Sequence, residues 1–174
     1  MRDLVYHVAV SLDGFIAGRN GDASMFPDGD HAEAYLAQLK DYDTVIMGRR
    51  TYEYGYSFGL EPGQRAYPHM RHVVMSTSLR LPGDAVEVWN GDAADRVQAL
   101  KRDTGTPIYL CGGGTLAGAL HQNGLIDRMV LKICPLTLGE GVPLLAGAMD
   151  ATRWRLSGQV TYASGVIEAH YLAA

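Results

Sequence analysis

Short apolar segments alternate along this sequence with segments of helical period, and this alternation constrains the fold more than any other feature. The first segment, Leu4 to Val10, is apolar nearly throughout, which is typical of a strand buried on both faces. Further strands are predicted at 44–47, 71–76, 85–89, 107–111 and 128–134, and helices at 30–41, from 48 onward, at 93–102 and at 115–123. Such alternation predicts an α/β fold with a mainly parallel sheet and helices on both faces.

The end of the sequence breaks the alternation. Two strand-like segments, 153–162 and 166–172, follow each other without a helix between them. They predict an antiparallel addition at one edge of the sheet. Because no linker, repeat or low-complexity stretch interrupts the chain, we expect residues 1–174 to form a single domain.

Charge and composition exclude several classes of partner. Fifteen Lys and Arg against 19 Asp and Glu give a net charge of -4, so the chain lacks the basic surface that nucleic acid or an anionic membrane requires. No apolar run approaches the length of a membrane span and no signal peptide is evident, so we expect a cytoplasmic protein. Cys111 and Cys134 fit no zinc spacing, and His69 and His72 have no acidic or cysteine neighbour, so no metal site is expected.

Three strand ends carry residues suited to phosphate. Gly48, at the first of them, is followed by two arginines and Thr51, and Gly112 begins a run of three glycines before Thr115. A third strand ends in the hydroxyl-rich Ser76-Thr77-Ser78. A helix that starts after a strand presents unpaired N–H groups to an anion, and glycine lets a phosphate approach the backbone closely. These segments predict three strand-to-helix junctions that hold a phosphorylated ligand, although none matches the P-loop or Rossmann pattern.

The first predicted helix carries two candidate functional residues. Its N-cap is predicted at Asp28 or Asp30. The apolar stripe consists of Ala32, Tyr35, Leu36 and Leu39, with Glu33, Gln38 and Lys40 outside it. His31 precedes Tyr35 by one turn and therefore lies on the same face. The pair is a candidate for substrate binding or proton relay, and the alternative is that Tyr35 packs in the core while His31 merely lies in the first turn.

Taken together, these segments resemble the dihydrofolate reductase-like family. The resemblance rests on five stretches that span nearly the whole chain: 10–17 (VSLDGFIA), 45–53 (VIMGRRTYE), 73–77 (VVMST), 109–114 (YLCGGG) and 125–141. Within that family the sequence looks like the reductase domain of the bacterial bifunctional riboflavin-pathway deaminase-reductase, because its start reads Ser-Leu-Asp-Gly. The resemblance implies a dihydrofolate reductase-like fold, an oxidoreductase activity and, since relatives of the riboflavin branch are dimers, a homodimer.

The resemblance also implies an NADPH site. The residues that it assigns to the adenosine end and the pyrophosphate are Gly48, Arg49, Arg50, Thr51, Ser76, Thr77, Gly112, Gly113, Gly114 and Thr115. Those assigned to the nicotinamide are Ala9, Ile16 and Ala17, and Cys111 either borders the cofactor or is a small buried residue. Two arginines with neighbouring hydroxyls fit a 2′-phosphate better than a 2′-hydroxyl, for which an acidic partner is usual. We therefore expect NADPH rather than NADH.

The sequence departs from the family where the reaction needs a proton. Classical dihydrofolate reductases carry an acid on the inner face of the first helix, and alignment places Tyr35 there. The candidate catalytic residues are therefore Tyr35, His31 and Asp13, although Asp13 also fits a simple Asp-Gly turn. An aromatic segment at 52–58 and Tyr67 form either a wall for a planar heterocycle or a lid that packs on the sheet.

Two functions follow from these observations. The first is an NADPH-dependent reductase that acts on a small planar nitrogen heterocycle, pterin-like or aminopyrimidine-like. The second is a catalytically silent nucleotide- or metabolite-binding protein of the same fold. The acid missing from the first helix favours the second, and the complete set of phosphate-suited strand ends favours the first.

Overall fold

A computed structural model describes all residues from 1 to 174. Its strands are β1 (Leu4–Ser11), β2 (Phe15–Ala17), β3 (Thr44–Gly48), β4 (Arg71–Met75), β5 (Val86–Trp89), β6 (Ile108–Gly112), β7 (Arg128–Cys134), β8 (Val142–Pro143), β9 (Trp154–Thr161) and β10 (Ile167–Ala173). Its α-helices are α1 (Asp30–Gln38), α2 (Arg49–Tyr54), α3 (Ala93–Arg102) and α4 (Gly114–Gln122). No helix has the length and apolar character needed to cross a membrane.

Eight strands form one sheet in the order β5-β4-β3-β6-β1-β7-β10-β9. The six strands from β5 to β7 are parallel, and β10 and β9 add antiparallel to β7. This confirms the predicted α/β fold with an antiparallel C-terminal edge. β2 and β8 form a separate two-stranded sheet.

The two faces of the sheet are covered by different helices. On one face, α3 and α4 pack Val97, Leu100 and Leu120 against apolar side chains of the strands. On the other face, α2 contributes the buried Tyr52 and the turn after α1 contributes Leu39. Alternation along each strand divides its side chains between these faces, so Tyr6 and Leu110 belong to the first and Val5 and Tyr109 to the second.

Most element boundaries agree with the sequence prediction to within about two residues. α3 and β7 have the predicted bounds, and the glycine after α4 confirms the predicted cap, because Gly124 has a φ of 64°. The amide of Leu125 closes that turn by donating to the carbonyl of Leu120 at 3.0 Å. Local periodicity and end signals therefore determine most of these elements.

The prediction for α1 is wrong in two respects. Its N-cap is Gly29 rather than Asp28 or Asp30, because the Asp30 carboxylate instead accepts from the amides of Ala163 and Ser164 in the β9–β10 turn. Leu36, expected in the apolar stripe, is 61% exposed. Gln38, expected outside the stripe, donates to the buried Glu168 of β10 at 2.7 Å. Tyr35 and Leu39 of the predicted stripe still pack on the sheet, so the differences are that Gln38 joins them through Glu168 and that Leu36 faces solvent.

Candidate functional site

A crevice between β1 and β6 is the centre of the candidate site. β1 pairs with β6 only from Leu4 to Tyr6, whereas it pairs with β7 along its remaining length to Ser11. The order of strands along the sheet also reverses here, because β3 to β5 extend the sheet on one side of this gap and β7 extends it on the other. Open α/β sheets bind ligands at such a topological switch point, outside the carboxyl ends of the strands.

The three phosphate-suited strand ends lie at the same level beside this crevice. In the sheet register Gly48 of β3 is opposite Met75 of β4, and Met47 is opposite Gly112 of β6. One detail of the junction prediction is wrong. Ser76 leads into a turn rather than a helix, because its hydroxyl accepts from the amides of Ser78 and Leu79. The helix predicted after Gly48 is present as α2, which is six residues long.

The three glycines after β6 are needed for different reasons. Gly112 has a φ of 126°, which other residues rarely adopt, and a Cβ on Gly114 would meet the Pro143 carbonyl at 2.1 Å. Gly113 has ordinary torsions, but a Cβ there would come within 3.2 Å of Thr51 Oγ1. The glycines thus leave bare backbone facing the Thr51 hydroxyl at the start of α4, which is the kind of cradle that a pyrophosphate fits.

Of the predicted nicotinamide residues, Ile16 lies beside the glycine segment of the same crevice. Ile16 Cδ1 lies 4.0 Å from a Cβ built on Gly112, so β2 and the glycine segment are in contact range. Ala17 is buried and packs closely against Gly141, because a Cβ built on Gly141 would lie 2.0 Å from the Ala17 carbonyl oxygen. Ala9 follows the point where pairing between β1 and β6 ends. The structure therefore brings Ile16, Gly112, Gly113, Thr51 and Gly48 together.

Charged and hydroxyl side chains mark the outer end of the site. Arg49 Nη1 donates to Ser78 Oγ at 3.1 Å and its Nε lies 3.4 Å from the Glu53 carboxylate. Arg50 is exposed and forms neither a hydrogen bond nor an ion pair. Next to them, a cavity of ≈ 190 Å³ is lined by Met75, Ser76, Thr77, Trp89, Asn90, Gly91 and Ala93. Thr115 is exposed in the first turn of α4, which leaves its hydroxyl accessible.

Tyr35 projects from α1 onto the sheet, where three tyrosine hydroxyls meet. Tyr35 Oη lies 2.7 Å from Tyr109 Oη and 3.3 Å from Tyr67 Oη, and Tyr67 Oη lies 3.9 Å from Cys111 Sγ. Burial raises the pKa of all three phenols, and it also raises the pKa of the Cys111 thiol. All four groups therefore remain protonated at neutral pH, and Cys111 faces this cluster.

The structure does not bring His31 or Asp13 to Tyr35. His31 Nδ1 lies 3.2 Å from Ser164 Oγ, and its ring packs on Tyr162 in the β9–β10 region. Asp13 accepts from Ser11 Oγ at 2.6 Å and from the amides of Leu138 and Gly139. These bonds, chiefly that from Ser11, lower the pKa of Asp13. In this structure Asp13 holds the loop at Leu138 and Gly139, and His31 holds the start of α1 against the β9–β10 turn.

Sequence analysis overlooked three polar residues on the face of the sheet that carries α1. His7 of β1, Lys132 of β7 and Glu168 of β10 are 1%, 8% and 0% exposed. Lys132 is opposite both Ala9 and Glu168 in the register, and His7 lies two residues before Ala9, so His7, Lys132 and Glu168 point to the same face of the sheet. A usable signal was present, since each of the three interrupts an otherwise apolar strand. We refer to His7, Tyr35, Tyr109, Lys132 and Glu168 as the polar cluster.

Lys132 has no conventional partner. Its Nζ forms no hydrogen bond or ion pair and lies 3.4 Å from the centre of the Tyr35 ring, a cation–π contact. Burial lowers the pKa of Lys132 to about 8, against the opposing effects of Cys134, Cys111 and Glu168. The cluster thus contains an ammonium group that titrates near neutral pH.

Glu168 is held away from Lys132 by other donors. Its carboxylate accepts from Gln38 Nε2 at 2.7 Å and from Tyr162 Oη at 3.3 Å, and His170 Nε2 lies 2.8 Å away. These contacts join α1, the turn that follows β9, and β10 at a fully buried carboxylate. Glu168 therefore holds α1 on the sheet.

Two buried side-chain atoms lack any partner, and both border the polar cluster. They are His7 Nε2 and Gln38 Oε1. The other ring nitrogen of His7 lies 3.4 Å from Tyr42 Oη, and burial lowers the pKa of His7 to about 3, so the imidazole is neutral. Buried polar atoms are nearly always hydrogen-bonded, and two exceptions in one place indicate room for a polar ligand or water.

The aromatic segment divides between the two roles considered for it. Tyr52 is buried and its hydroxyl donates to the Gln64 carbonyl at 2.8 Å, while Tyr54 packs edge-on against Phe58 on the surface. These residues pack α2 and its following loop. Tyr67 alone among them reaches the polar cluster.

Comparison with known proteins connects this geometry to a family. A family model, the RibD C-terminal domain, matches residues 2–167. Two proteins of Bacillus subtilis, YyaP and YwjB, are each 28% identical to this chain, and the alignments cover 98% and 99% of it and 94% and 99% of the relatives. The riboflavin biosynthesis protein RibD of Corynebacterium ammoniagenes is 28% identical over 83% of the chain, which spans 46% of that relative's length.

Solved structures agree on the fold. A pyrimidine reductase-like protein of Corynebacterium diphtheriae superposes with a TM-score of 0.75 at 17% identity, covering 99% of this chain and 92% of the other. Dihydrofolate reductase of Enterococcus faecalis, solved with NADP(H), superposes with a TM-score of 0.68 at 16% identity, covering 97% and 93%. These likenesses confirm a dihydrofolate reductase-like fold.

Proposed function

Because the chain belongs to the RibD C-terminal domain family, we propose that it is an NADPH-dependent reductase of a small planar nitrogen heterocycle, pterin-like or aminopyrimidine-like. Membership supports an oxidoreductase related to riboflavin biosynthesis. The observation that carries the proposal is the convergence of the ends of β3, β4 and β6 beside an open crevice. Hydroxyl, guanidinium and bare glycine backbone meet there, as recognition of a phosphorylated dinucleotide requires.

The residues fit NADPH in a defined order along the crevice. Gly113 and Thr51 would receive the pyrophosphate, because only a residue without Cβ leaves the Thr51 hydroxyl accessible. Arg49, already beside Ser78, would meet the 2′-phosphate. Ile16 and Ala9 would border the nicotinamide. When bound, the cofactor supplies a hydride, while the chain orients the heterocycle and excludes water.

The heterocycle would lie on the α1 side of the crevice, against the polar cluster. Tyrosine rings offer flat apolar surfaces, the unpartnered Gln38 Oε1 offers an acceptor to a ligand that carries N–H groups, and the unpartnered His7 Nε2 offers a second site for a hydrogen bond. Pterins and aminopyrimidines combine a flat ring with such donors. This match of shape and hydrogen bonding supports that substrate class.

Titration of NADPH and NADH into the purified protein tests the cofactor assignment through quenching of Trp and Tyr emission. We expect micromolar affinity for NADPH and affinity at least ~10-fold weaker for NADH. Arg49→Ala is expected to weaken NADPH binding ~10-fold and NADH binding less than ~2-fold, because it removes the charge nearest the 2′-phosphate. Arg102→Ala, an exposed arginine on α3, serves as the control. Failure of both nucleotides to bind would exclude the reductase.

A catalytically silent binding protein is the second candidate, and one observation favours it. No carboxylate projects from α1 into the crevice, since Glu33 is exposed and Asp30 is bound to the β9–β10 turn. A screen of pterins and aminopyrimidines, including 5-amino-6-(5-phosphoribosylamino)uracil, for NADPH oxidation at 340 nm separates the two functions. Turnover that Tyr35→Phe reduces would exclude the silent protein, and nucleotide binding without turnover would favour it.

A further inference from the structure

The fold contains two buried lysines, and their surroundings differ completely. Lys101 Nζ donates to the Leu125 carbonyl at 2.9 Å and to the Asp127 carboxylate, so its charge is fully compensated. Lys132 is similarly buried, yet its Nζ forms no hydrogen bond or ion pair and lies 3.4 Å from the centre of the Tyr35 ring. A buried ammonium without a counter-ion weakens a fold, so Lys132 does not contribute to stability in the way that Lys101 does.

The ammonium of Lys132 points towards the crevice. Lys132 is opposite Ala9 of β1, the residue at which β1 has already lost its pairing with β6. Its Nζ lies over the Tyr35 ring, and the hydroxyl of that ring meets Tyr109 of β6. The lysine side chain therefore extends from β7 across β1, on the face where the heterocycle would lie.

We propose that Lys132 is the proton donor of the reaction. Its ammonium group would donate a hydrogen bond to the nitrogen or oxygen atom of the C=N or C=O bond that is reduced. This inference rests on the proposed function. Hydride from NADPH forms a new C–H bond, and the π electrons of the reduced bond move to the nitrogen or oxygen. That atom takes a proton from Nζ, which leaves NADP⁺, the reduced heterocycle and a neutral amine that water reprotonates.

The groups around Lys132 suit this role. The groups that face it are His7 from β1, Cys111 from β6, Tyr35 from α1, Cys134 from β7 itself and Glu168 from β10, and His170 lies next to His7 and Glu168. Of these, Glu168 is held by Gln38 and Tyr162 and makes no ion pair with the ammonium. Burial lowers the pKa of Lys132 to about 8, which keeps the proton in place at neutral pH and makes it easy to transfer.

Lys132→Met and Lys132→Arg test the assignment, with Lys40→Met as the control for loss of one exposed lysine. The probes are 7,8-dihydrobiopterin and 5-amino-6-(5-phosphoribosylamino)uracil, with NADPH. We expect wild-type kcat to fall as the pH rises above about 8 and Lys132→Met to lower kcat at least ~100-fold, with the NADPH Kd within ~2-fold. Lys132→Arg should keep part of the activity. The decrease of kcat at high pH, which is the basic limb of the pH–kcat profile, should move to higher pH because the guanidinium group stays protonated. Lys132→Met with kcat within ~3-fold of wild type and the same basic limb would overturn the inference.

A binding experiment separates failure of this inference from failure of the proposed function. If wild type binds NADPH but reduces neither probe, lumazine is titrated into the NADPH complex and followed by its fluorescence. If lumazine binds the Lys132→Met variant at least ~10-fold more weakly than wild type, the ammonium group contacts the heterocycle. Only the proposed reductase activity would then be wrong. Equal affinity, or no binding to either protein, would overturn the Lys132 assignment as well.

A spectroscopic readout distinguishes contact from a purely structural role. The chain has three lysines, so protein labelled with [ε-¹³C]lysine gives three resonances, and Lys132→Met identifies one of them. In the NADPH complex we expect this resonance to titrate near pH 8 and to shift on addition of lumazine. A resonance that titrates near the ordinary lysine value and does not respond to lumazine would contradict the inference.

Discussion

The two faces of the sheet bury different kinds of side chain. The face beneath α3 and α4 is almost wholly apolar, with Leu4, Ile46, Leu110 and Leu120 all inaccessible to solvent. The face beneath α1 buries the polar cluster at the same depth. Apolar packing supplies most of the stability of such a domain, whereas buried polar groups reduce it unless they are fully paired. The comparison indicates that the first face maintains the fold and the second carries the chemistry.

A large truncation on the apolar face should have the largest effect. Leu120→Ala removes a fully buried side chain and should lower the free energy of unfolding by about 3–4 kcal/mol in urea denaturation. Leu36→Ala, on the exposed side of α1, should cost less than about 1 kcal/mol and serves as the matched control. Similar losses for both variants would mean that α1 presents a different side to the sheet.

Lys132→Met should change stability in the opposite direction. Because the folded pKa of Lys132 is lowered to about 8 and the unfolded value is near 10.5, the folded state binds fewer protons between these values, and this group's contribution to stability rises with pH. Below pH 8 the buried ammonium destabilises the fold, so Lys132→Met should raise the free energy of unfolding by about 1–3 kcal/mol at pH 7. The difference should close as the pH approaches 10.5. Destabilisation of the variant at pH 7 would show that Lys132 contributes to the core of this face.

His7 should make the same face sensitive to acid, with a smaller effect. Burial lowers its folded pKa to about 3 from 6.5, so its contribution to stability is present above pH 6.5 and is lost as the pH falls towards 3. Between pH 7 and 5, wild type should lose about 1–2 kcal/mol more unfolding free energy than His7→Gln. Parallel pH profiles for the two proteins, measured by urea denaturation, would show that a counter-charge reaches His7.

The sequence predicted most of the elements and the meeting of three strand ends, but not the N-cap of α1 or the turn at Ser76. Apolar periodicity predicted the strands and helices, and glycine or hydroxyl residues at the ends of β3, β4 and β6 predicted which of them would meet. The polar cluster was missed because isolated polar residues in three separate strands do not reveal from the sequence that His7, Lys132 and Glu168 share a face. Only the register, which pairs Lys132 with both Ala9 and Glu168, shows that they share a face. The position of Gln38 on the sheet likewise depends on Glu168, a partner 130 residues away.

The early end of pairing between β1 and β6 has a consequence for how such a domain can diverge. The mouth of the crevice is a property of the backbone, fixed by where two strands stop exchanging hydrogen bonds. Side chains along its walls can therefore be replaced singly without closing it, and each replacement alters which molecule is accepted. A scaffold of this kind separates the shape of a binding site from its selectivity. Solved proteins only 16–17% identical to this chain accordingly keep the same architecture.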